Sequence, residues 1–312
     1  MQLSIEKIIA ARIGNDNYLN YTISPFQKSI AKEYSHIYES SSCSQVQDYI
    51  ANFYNDKFFS LTGSGREALE IVLQQLGLTD ADEVWIETTT NNFYVSSCVT
   101  HTIEKFCRWS RSFSKKTKAI LLIHEFGFPI EEIKHYLDYQ LPIIEDCAFS
   151  FLSQNSEGDV GFHSDFLIAS FPKFLPVPWG GALYSKEKID FDTNDFNDSS
   201  LLIPLINYFS LSTDEISSRR VGNYNAFSEL FMTHGIKPRF ELKSGQVPGV
   251  FMFCLPEDID GKRLREILNS SGIQSSMFFG ENAYFLPCHQ GLDDFDIKFI
   301  FERTMNCLRM LK

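Results

Sequence analysis

The sequence lacks the features that mark membrane, secreted and nucleic-acid-binding proteins. No apolar run reaches the length of a membrane span, and the start, MQLSIEKIIAARIG, has no basic segment followed by an apolar block. The seven cysteines are scattered and form no C-x-x-C pair, so neither a disulfide framework nor a metal site is predicted. The net charge of −12 argues against a nucleic-acid surface. These absences predict a cytoplasmic protein with reduced thiols.

What the sequence does contain is an alternation of strand-like and helix-like segments. Short apolar runs typical of buried strands occupy residues 58–61, 83–86, 119–124, 141–145, 166–169 and 182–184. Helical patterns between them cover residues 65–76, 94–102 and 130–137. This rhythm predicts an α/β fold of three layers, in which helices cover both faces of a mostly parallel sheet. Ligands then bind at the carboxyl ends of the strands.

The pattern changes after about residue 190, where the polar, turn-rich stretch FDTNDFNDSS begins. Helical patterns over 219–233, 260–270 and 293–311 then alternate with strand-like runs at 249–255 and 275–279. We therefore predict a large domain over residues 1–200 and a smaller α+β domain over residues 201–312.

The most informative chemistry lies between residues 143 and 185. Asp146 closes an apolar strand, and Lys173 stands among apolar residues just after Ser170. A buried carboxylate is costly without a positive partner, and burial makes a lysine a better nucleophile by lowering its pKa. Pyridoxal phosphate (PLP) uses both groups, a lysine for its aldehyde and an acid for its ring nitrogen. The pair therefore indicates a PLP site.

The segment GSGREA, residues 63–68, has two interpretations. It follows a strand and opens a helix, so its free N–H groups and the helix dipole favour a bound phosphate. The same letters fit the G-x-G-x-x-A fingerprint of dinucleotide sites, and Glu87 lies where such sites carry a ribose-binding acid. An NAD-binding oxidoreductase is therefore an alternative, although it leaves Asp146 and Lys173 unexplained.

An ordered set of segments resembles the DegT/DnrJ/EryC1/StrS family of PLP-dependent sugar aminotransferases of fold type I. The resemblance extends from Val46 to the C-terminus. It is carried by VQDYIANFYNDKFFSLTGSGREALEIVLQQLGL, DEVWIETTTNNFYVSSCV, TKAILLIHEFGFPIEEI, IIEDCAFS, DVGFHSDFLIASFPKFLPVPWGGAL, LREILNSSGIQSS and FLPCHQGL.

The resemblance implies a function and a role for each site residue. Lys173 is expected to bind the cofactor aldehyde and to move a proton, and Asp146 to keep the ring nitrogen protonated. The phosphate is expected to contact Ser64, Gly65, Arg66 and Ser170. The implied reaction passes an amino group from an amino acid to a nucleotide-linked keto sugar, and the implied assembly is a homodimer.

Several positions depart from the family pattern. Phe149 stands where the family usually has glutamine, and Arg66 where it has a small hydroxyl residue. The place of the aromatic residue that stacks on the cofactor holds Asn91, with Phe93 and Tyr94 nearby. The Gly-x-Asn-x-Arg stretch after the glycine pair 180–181 is absent, and the chain is shorter than the family norm. A non-catalytic relative that acts as a binding or scaffold protein is therefore a third hypothesis.

Other conspicuous side chains have structural interpretations. His289 and Cys147 are expected to be packing residues, since no histidine is placed to activate the thiol. Arg219 and Arg220 are expected on a solvated helix face. His124, at a strand end, is equally consistent with a ligand contact and with a structural role.

Overall fold

The structure is a computed structural model that describes residues 20–26, 34, 36–37, 46, 48–54, 56–191 and 199–312. The N-terminal residues that predict no signal peptide, and most of the polar stretch after residue 190, lie outside the described residues. Among the helices of the described ranges, none combines the length and the apolar character that a membrane span requires.

Seven strands form the central sheet. They are β1 (Phe58–Thr62), β2 (Glu83–Thr88), β3 (Arg108–Ser110), β4 (Thr117–Ile123), β5 (Ile143–Asp146), β6 (Phe166–Ser170) and β7 (Gly181–Ser185). Their order is β1-β7-β6-β5-β4-β2-β3. Strands β2 to β6 run parallel, while β7 is antiparallel to both β1 and β6. The link from β6 to β7 is shorter than the crossover of about a dozen residues that a parallel strand needs, so the chain turns back.

Helices cover both faces of this sheet, which confirms the predicted three-layer α/β architecture. In chain order the described helices are α1 (Asp48–Ala51), α2 (Gly65–Gln75), α3 (Ser97–Ile103), α4 (Ser199–Ser210), α5 (Thr213–Met232), α6 (Gly261–Ser270) and α7 (Asp294–Leu311). One apolar cluster joins α2 and α3 to one face of the sheet, through residues such as Leu69, Ile103 and Ile144. A second cluster joins α1 and α4 to the other face, through residues such as Ile50 and Leu202.

A smaller antiparallel sheet follows in the C-terminal part of the chain. Its strands are β8 (Val250–Cys254), β9 (Ser276–Phe278) and β10 (Ala283–Pro287), in the order β8-β10-β9. Buried residues of α5, α6 and α7 pack on it, with Phe227, Leu264 and Ile300 among them. The α+β character of this region agrees with the sequence, and the domain boundary at residue 200 stays a prediction.

Two predicted helices differ from the structure, and two strands have no counterpart in the prediction. The helix expected over 130–137 is a 3-10 helix over Ile133–Tyr139, which ends where Gln140 adopts a left-handed conformation with a φ of 53°. The helix expected from residue 94 begins at Ser97, because the side chain of Ser96 accepts a hydrogen bond from the N–H of Cys98 and caps it. Strands β3 and β10 were not predicted at all.

Candidate active site

The residues that the sequence predicts for the site lie together at the carboxyl ends of the parallel strands. Asp146 is the last residue of β5 and Ser170 the last residue of β6, and β1 runs in the same direction into the loop at residues 63–65. Gly181, at the start of β7, pairs with Thr62 on one side and with Ser170 on the other. The loop and the serine that were predicted to bind one phosphate therefore lie side by side.

The loop at residues 63–65 presents hydrogen-bond donors at the start of α2. The Ser64 hydroxyl accepts a hydrogen bond from the N–H of Glu67 at 3.1 Å, and the Glu67 carboxylate accepts one from the N–H of Gly63 at 2.7 Å. These two hydrogen bonds leave the N–H groups of Gly65 and Arg66 without an acceptor among the described residues. Free N–H groups at the start of an eleven-residue helix are the arrangement that binds phosphate.

Two glycines let the surrounding backbone approach this loop. A Cβ added at Gly181 would lie 2.4 Å from the Ser64 carbonyl carbon and 2.5 Å from the Gly65 nitrogen. A Cβ added at Gly65 would lie 3.1 Å from the Ala169 carbonyl oxygen and 3.3 Å from the Ser170 Cβ. The phosphate loop, β7 and the end of β6 are therefore packed too closely for any side chain at Gly181.

Asp146 is buried at the same edge. One of its carboxylate oxygens accepts a hydrogen bond from the N–H of Ala148 at 2.9 Å. Burial raises the pKa of Asp146, while this hydrogen bond and the electrostatic effects of His124 and Lys173 oppose the rise. A carboxylate in this setting has a strong preference for a positively charged partner.

Lys173 ends a short 3-10 turn, Phe171–Lys173, directly after β6. Burial lowers the pKa of Lys173, while the electrostatic effects of Cys98 and Asp146 oppose the shift. Its amine lies 4.3 Å from the centroid of the Phe149 ring. The predicted lysine and the predicted acid are thus close enough to influence each other, as a shared cofactor requires.

Arg66 and Cys98 connect the phosphate loop with α3. A guanidinium nitrogen of Arg66 donates a hydrogen bond to the Cys98 sulfur at 3.0 Å. Cys98 is exposed, and its electrostatic effect raises the pKa of Lys173. Sequence reasoning missed Cys98, because nothing in its neighbours links the first turn of α3 to Lys173.

The three residues considered for stacking on the cofactor have different surroundings. Asn91 adopts a left-handed backbone with a φ of 56°, and Phe93 is 73% exposed. Tyr94 packs on Phe279, with 5.2 Å between the ring centroids. None of these contacts ties one of the three to Lys173 or Asp146.

His124 has a structural role, since both of its ring nitrogens are engaged. The N–H of Ile130 donates to Nδ1 at 3.0 Å, so Nε2 carries the proton and donates to Glu145 at 2.8 Å. Cys147 is buried beside this pair, and the three residues place possible metal ligands within 4.8 Å of one another. A metal would need the Nε2 lone pair, which this hydrogen-bond pattern does not provide, so the trio is a core contact.

Arg220 corrects a prediction, because it is buried rather than solvated, with 1% of its surface exposed. Its guanidinium donates to the carbonyl oxygen of Lys173 at 2.8 Å, to the side-chain oxygen of Gln290 at 2.8 Å and to the carbonyl oxygen of Pro248 at 3.3 Å. It thus anchors the turn that carries the lysine. Its neighbour Arg219 is exposed, as expected, and pairs with Glu215.

His289 is a buried packing residue close to Arg220. Its Nδ1 accepts a hydrogen bond from the N–H of Gly291 at 3.1 Å. Burial lowers the pKa of His289 to about 3, with a further lowering by Arg220 and an opposing effect of the Thr22 backbone. The folded protein therefore keeps this imidazole neutral.

Neutral His289 predicts a loss of stability in acid. The unfolded chain binds a proton here near its ordinary pKa of 6.5 and the folded chain only near 3, so this contribution is complete above about pH 6.5 and falls as the pH drops toward 3. In urea unfolding, the native protein is expected to lose at least about 2 kcal/mol more between about pH 7 and about pH 4 than His289→Asn, which keeps an acceptor for Gly291. Equal losses would contradict this prediction.

Comparison with known proteins supports the resemblance. No protein-family model matches the chain. GDP-perosamine synthase of Escherichia coli O157:H7 is 29% identical over an alignment of 190 residues, gaps included, and the match covers 52% of this chain and 51% of that protein. The chain thus spans about half the length of this relative.

Solved structures share the fold. A protein described as a sugar aminotransferase, Spr1654 of Streptococcus pneumoniae in its PMP form, superposes with a TM-score of 0.70 at 13% identity, over 94% of this chain and 100% of that one. A DegT DnrJ EryC1 StrS aminotransferase from Brucella abortus superposes with a TM-score of 0.69 at 12% identity, over 89% and 96% of the two chains. These findings confirm the resemblance noted in the sequence: the chain is similar in sequence to GDP-perosamine synthase and shares the fold of a DegT DnrJ EryC1 StrS aminotransferase.

Proposed function

We propose that this protein is a PLP-dependent aminotransferase, which transfers an amino group from an amino acid to a keto sugar carried on a nucleotide. The convergence of Lys173, Asp146 and the phosphate loop at one edge of the sheet carries this proposal. The chemistry of the donor set fits the cofactor, since it combines an amine of lowered pKa, a buried acid and free N–H groups at a helix start.

When bound, PLP supplies an aldehyde for amines and a ring that withdraws electrons. Lys173 would hold it covalently and carry the proton that must move during amino transfer. Asp146 would keep a proton on the ring nitrogen, because a buried carboxylate is stabilised by a positive partner. The phosphate would be held by Ser64, Gly65, Arg66 and Ser170. Arg220 would keep Lys173 in place through the lysine carbonyl.

The substrates are inferred from the relatives. GDP-perosamine synthase is named for an amino sugar carried on a nucleotide, which favours a nucleotide-linked keto sugar as the acceptor here. Glutamate is the donor expected from the family. A homodimer and a cytoplasmic location stay predictions.

Two alternatives make different predictions. An NAD enzyme would need Glu87 for a ribose, but one oxygen of this carboxylate accepts a hydrogen bond from the Trp85 indole at 2.7 Å. A non-catalytic relative would bind PLP without reacting with amino acids, and Phe149, at the place of the family's glutamine, is the observation that motivates it.

The test begins with the visible absorption spectrum of the purified protein, to which PLP has been added. We expect a band that disappears on addition of glutamate, and borohydride reduction that labels Lys173 in a mapped peptide. Lys173→Ala should lose the label, and Lys186→Ala, which removes an exposed lysine paired with Asp165, should keep it. A label on another lysine would refute the assignment, and a band that no amino donor changes would favour the non-catalytic alternative.

A further inference from the structure

Phe149 occupies an unusual place in this site. It lies three residues after Asp146, where related enzymes usually have a glutamine near the ring hydroxyl of the cofactor. A phenyl ring has no hydrogen-bond donor, so it does not replace that contact.

The face of the Phe149 ring lies beside the Lys173 amine. The nitrogen lies 4.3 Å from the ring centroid, which is within the range of a cation–π interaction. No carboxylate in the described part of the chain forms an ion pair with this amine, although the electrostatic effects of Cys98 and Asp146 oppose the lowering of its pKa. The ring face therefore takes the place that a counter-ion would otherwise have.

The Phe149 ring is also packed against other residues, which limit its movement. It packs on Phe126, with 5.4 Å between the ring centroids, and Phe126 in turn packs on Phe278 and Phe285 of the small sheet. A Cβ added at Gly249 would lie 2.9 Å from the Phe149 ring.

The backbone that carries Phe126 is specialised as well. Phe126 adopts a left-handed conformation with a φ of 54°, which is uncommon for a bulky residue, and its carbonyl oxygen accepts a hydrogen bond from the Gly249 N–H at 2.7 Å. The small sheet thus fixes the ring against which the lysine rests.

We propose that Phe149 is a positioning residue, whose ring face holds the Lys173 amine at the cofactor site. A carboxylate in that place would bind the ammonium strongly and favour its protonated form. A ring attracts the ammonium more weakly and accepts no proton, so the amine stays in place yet deprotonates readily when a carbonyl compound arrives. The catalytic consequence rests on the proposed function, whereas the contact itself requires no cofactor.

The test measures the pKa of Lys173 in the full-length protein. The protein is first treated with hydroxylamine, which removes bound carbonyl compounds. Trace acetylation with acetic anhydride across neutral to alkaline pH, read by peptide mass spectrometry, yields a pKa for each lysine. In Phe149→Leu, which keeps an apolar wall but removes the ring face, the pKa of Lys173 is expected to fall by about one unit, a tenfold change in proton affinity. Phe149→Met, which is unbranched and adapts more easily to the space the ring leaves, provides the same comparison if leucine prevents folding.

The matched control is Phe285→Leu, which removes a ring from the same aromatic cluster without touching the lysine. It should leave the pKa of Lys173 unchanged. An unchanged or raised pKa in the Phe149 variants, or an equal fall in Phe285→Leu, would overturn the proposal. Because the measurement needs no PLP, it stands even if the protein binds none, so failure of this inference and failure of the proposed function are distinguishable.

Discussion

Asp146→Asn is expected to slow the reaction with an amino donor by about 10³-fold while leaving the cofactor attached to Lys173. Asparagine has nearly the same volume and keeps an oxygen for the hydrogen bond from the Ala148 N–H. It lacks the negative charge that would hold a proton on the ring nitrogen. Stopped-flow measurement of the visible band after mixing with glutamate gives the rate, and borohydride mapping shows whether the attachment persists.

Asp165→Asn is the matched control for this experiment. Asp165 is half-buried and directly precedes β6, so it lies at the amino end of this strand, away from the candidate site. Its carboxylate accepts a hydrogen bond from the Ile143 N–H at 2.9 Å. Its neutralisation changes the charge by the same amount and should leave the rate within about twofold, because charges that far away are screened. A rate within tenfold of the native value in Asp146→Asn would remove the acid from its proposed role.

The fold was largely predictable because its central strands are continuous apolar runs. Strands β4 and β5 have the sequences TKAILLI and IIED. A parallel strand that is covered on both faces has apolar residues at successive positions, and such runs are visible in a sequence. Strand β3 is three residues long at the edge of the sheet, with none of the three buried, so it has no apolar signature. Strand β10 ends in proline and follows the turn-forming residues 280–282, so its short apolar run was not recognised as a strand.

The candidate site was predictable only where each residue belongs to a local motif. Asp146 and Ser170 end strands, and Ser64 begins a helix, so strand direction alone places them together. The contacts of Phe149 with Lys173 and of Cys98 with Arg66 depend on packing between distant segments, which no local pattern encodes.

Arg220 is intermediate between these cases. It shares a helix face with Ile216, Tyr224, Phe227 and Phe231, and all of these are buried. That spacing of three and four residues is visible in the sequence. Arg220 was expected on a solvated face because its side chain is charged, but the spacing of the apolar residues around it indicates a buried face.

Gly181→Ala is expected to destabilise the protein by about 3 kcal/mol and to weaken PLP binding by at least about tenfold. The added methyl group would lie 2.4 Å from a backbone carbon of the phosphate loop. Strand β7 is paired on both sides, so it is not free to move away. The loop must therefore shift, and the N–H groups at the start of α2 lose their alignment. Denaturant unfolding measures the stability, and titration of the visible band measures the affinity.

Two other glycines calibrate this result. Gly65→Ala adds a methyl group 3.1 Å from the nearest atom, so its cost in stability should be smaller than that of Gly181→Ala. Gly222 lies within α5, and a methyl group there meets nothing within 4 Å. Alanine at that position should stabilise the protein by about 0.5 to 1 kcal/mol, because it is the better helix former, and should leave PLP binding unchanged. If all three variants bound PLP equally well, the close approach of β7 to the loop would have no part in holding the phosphate.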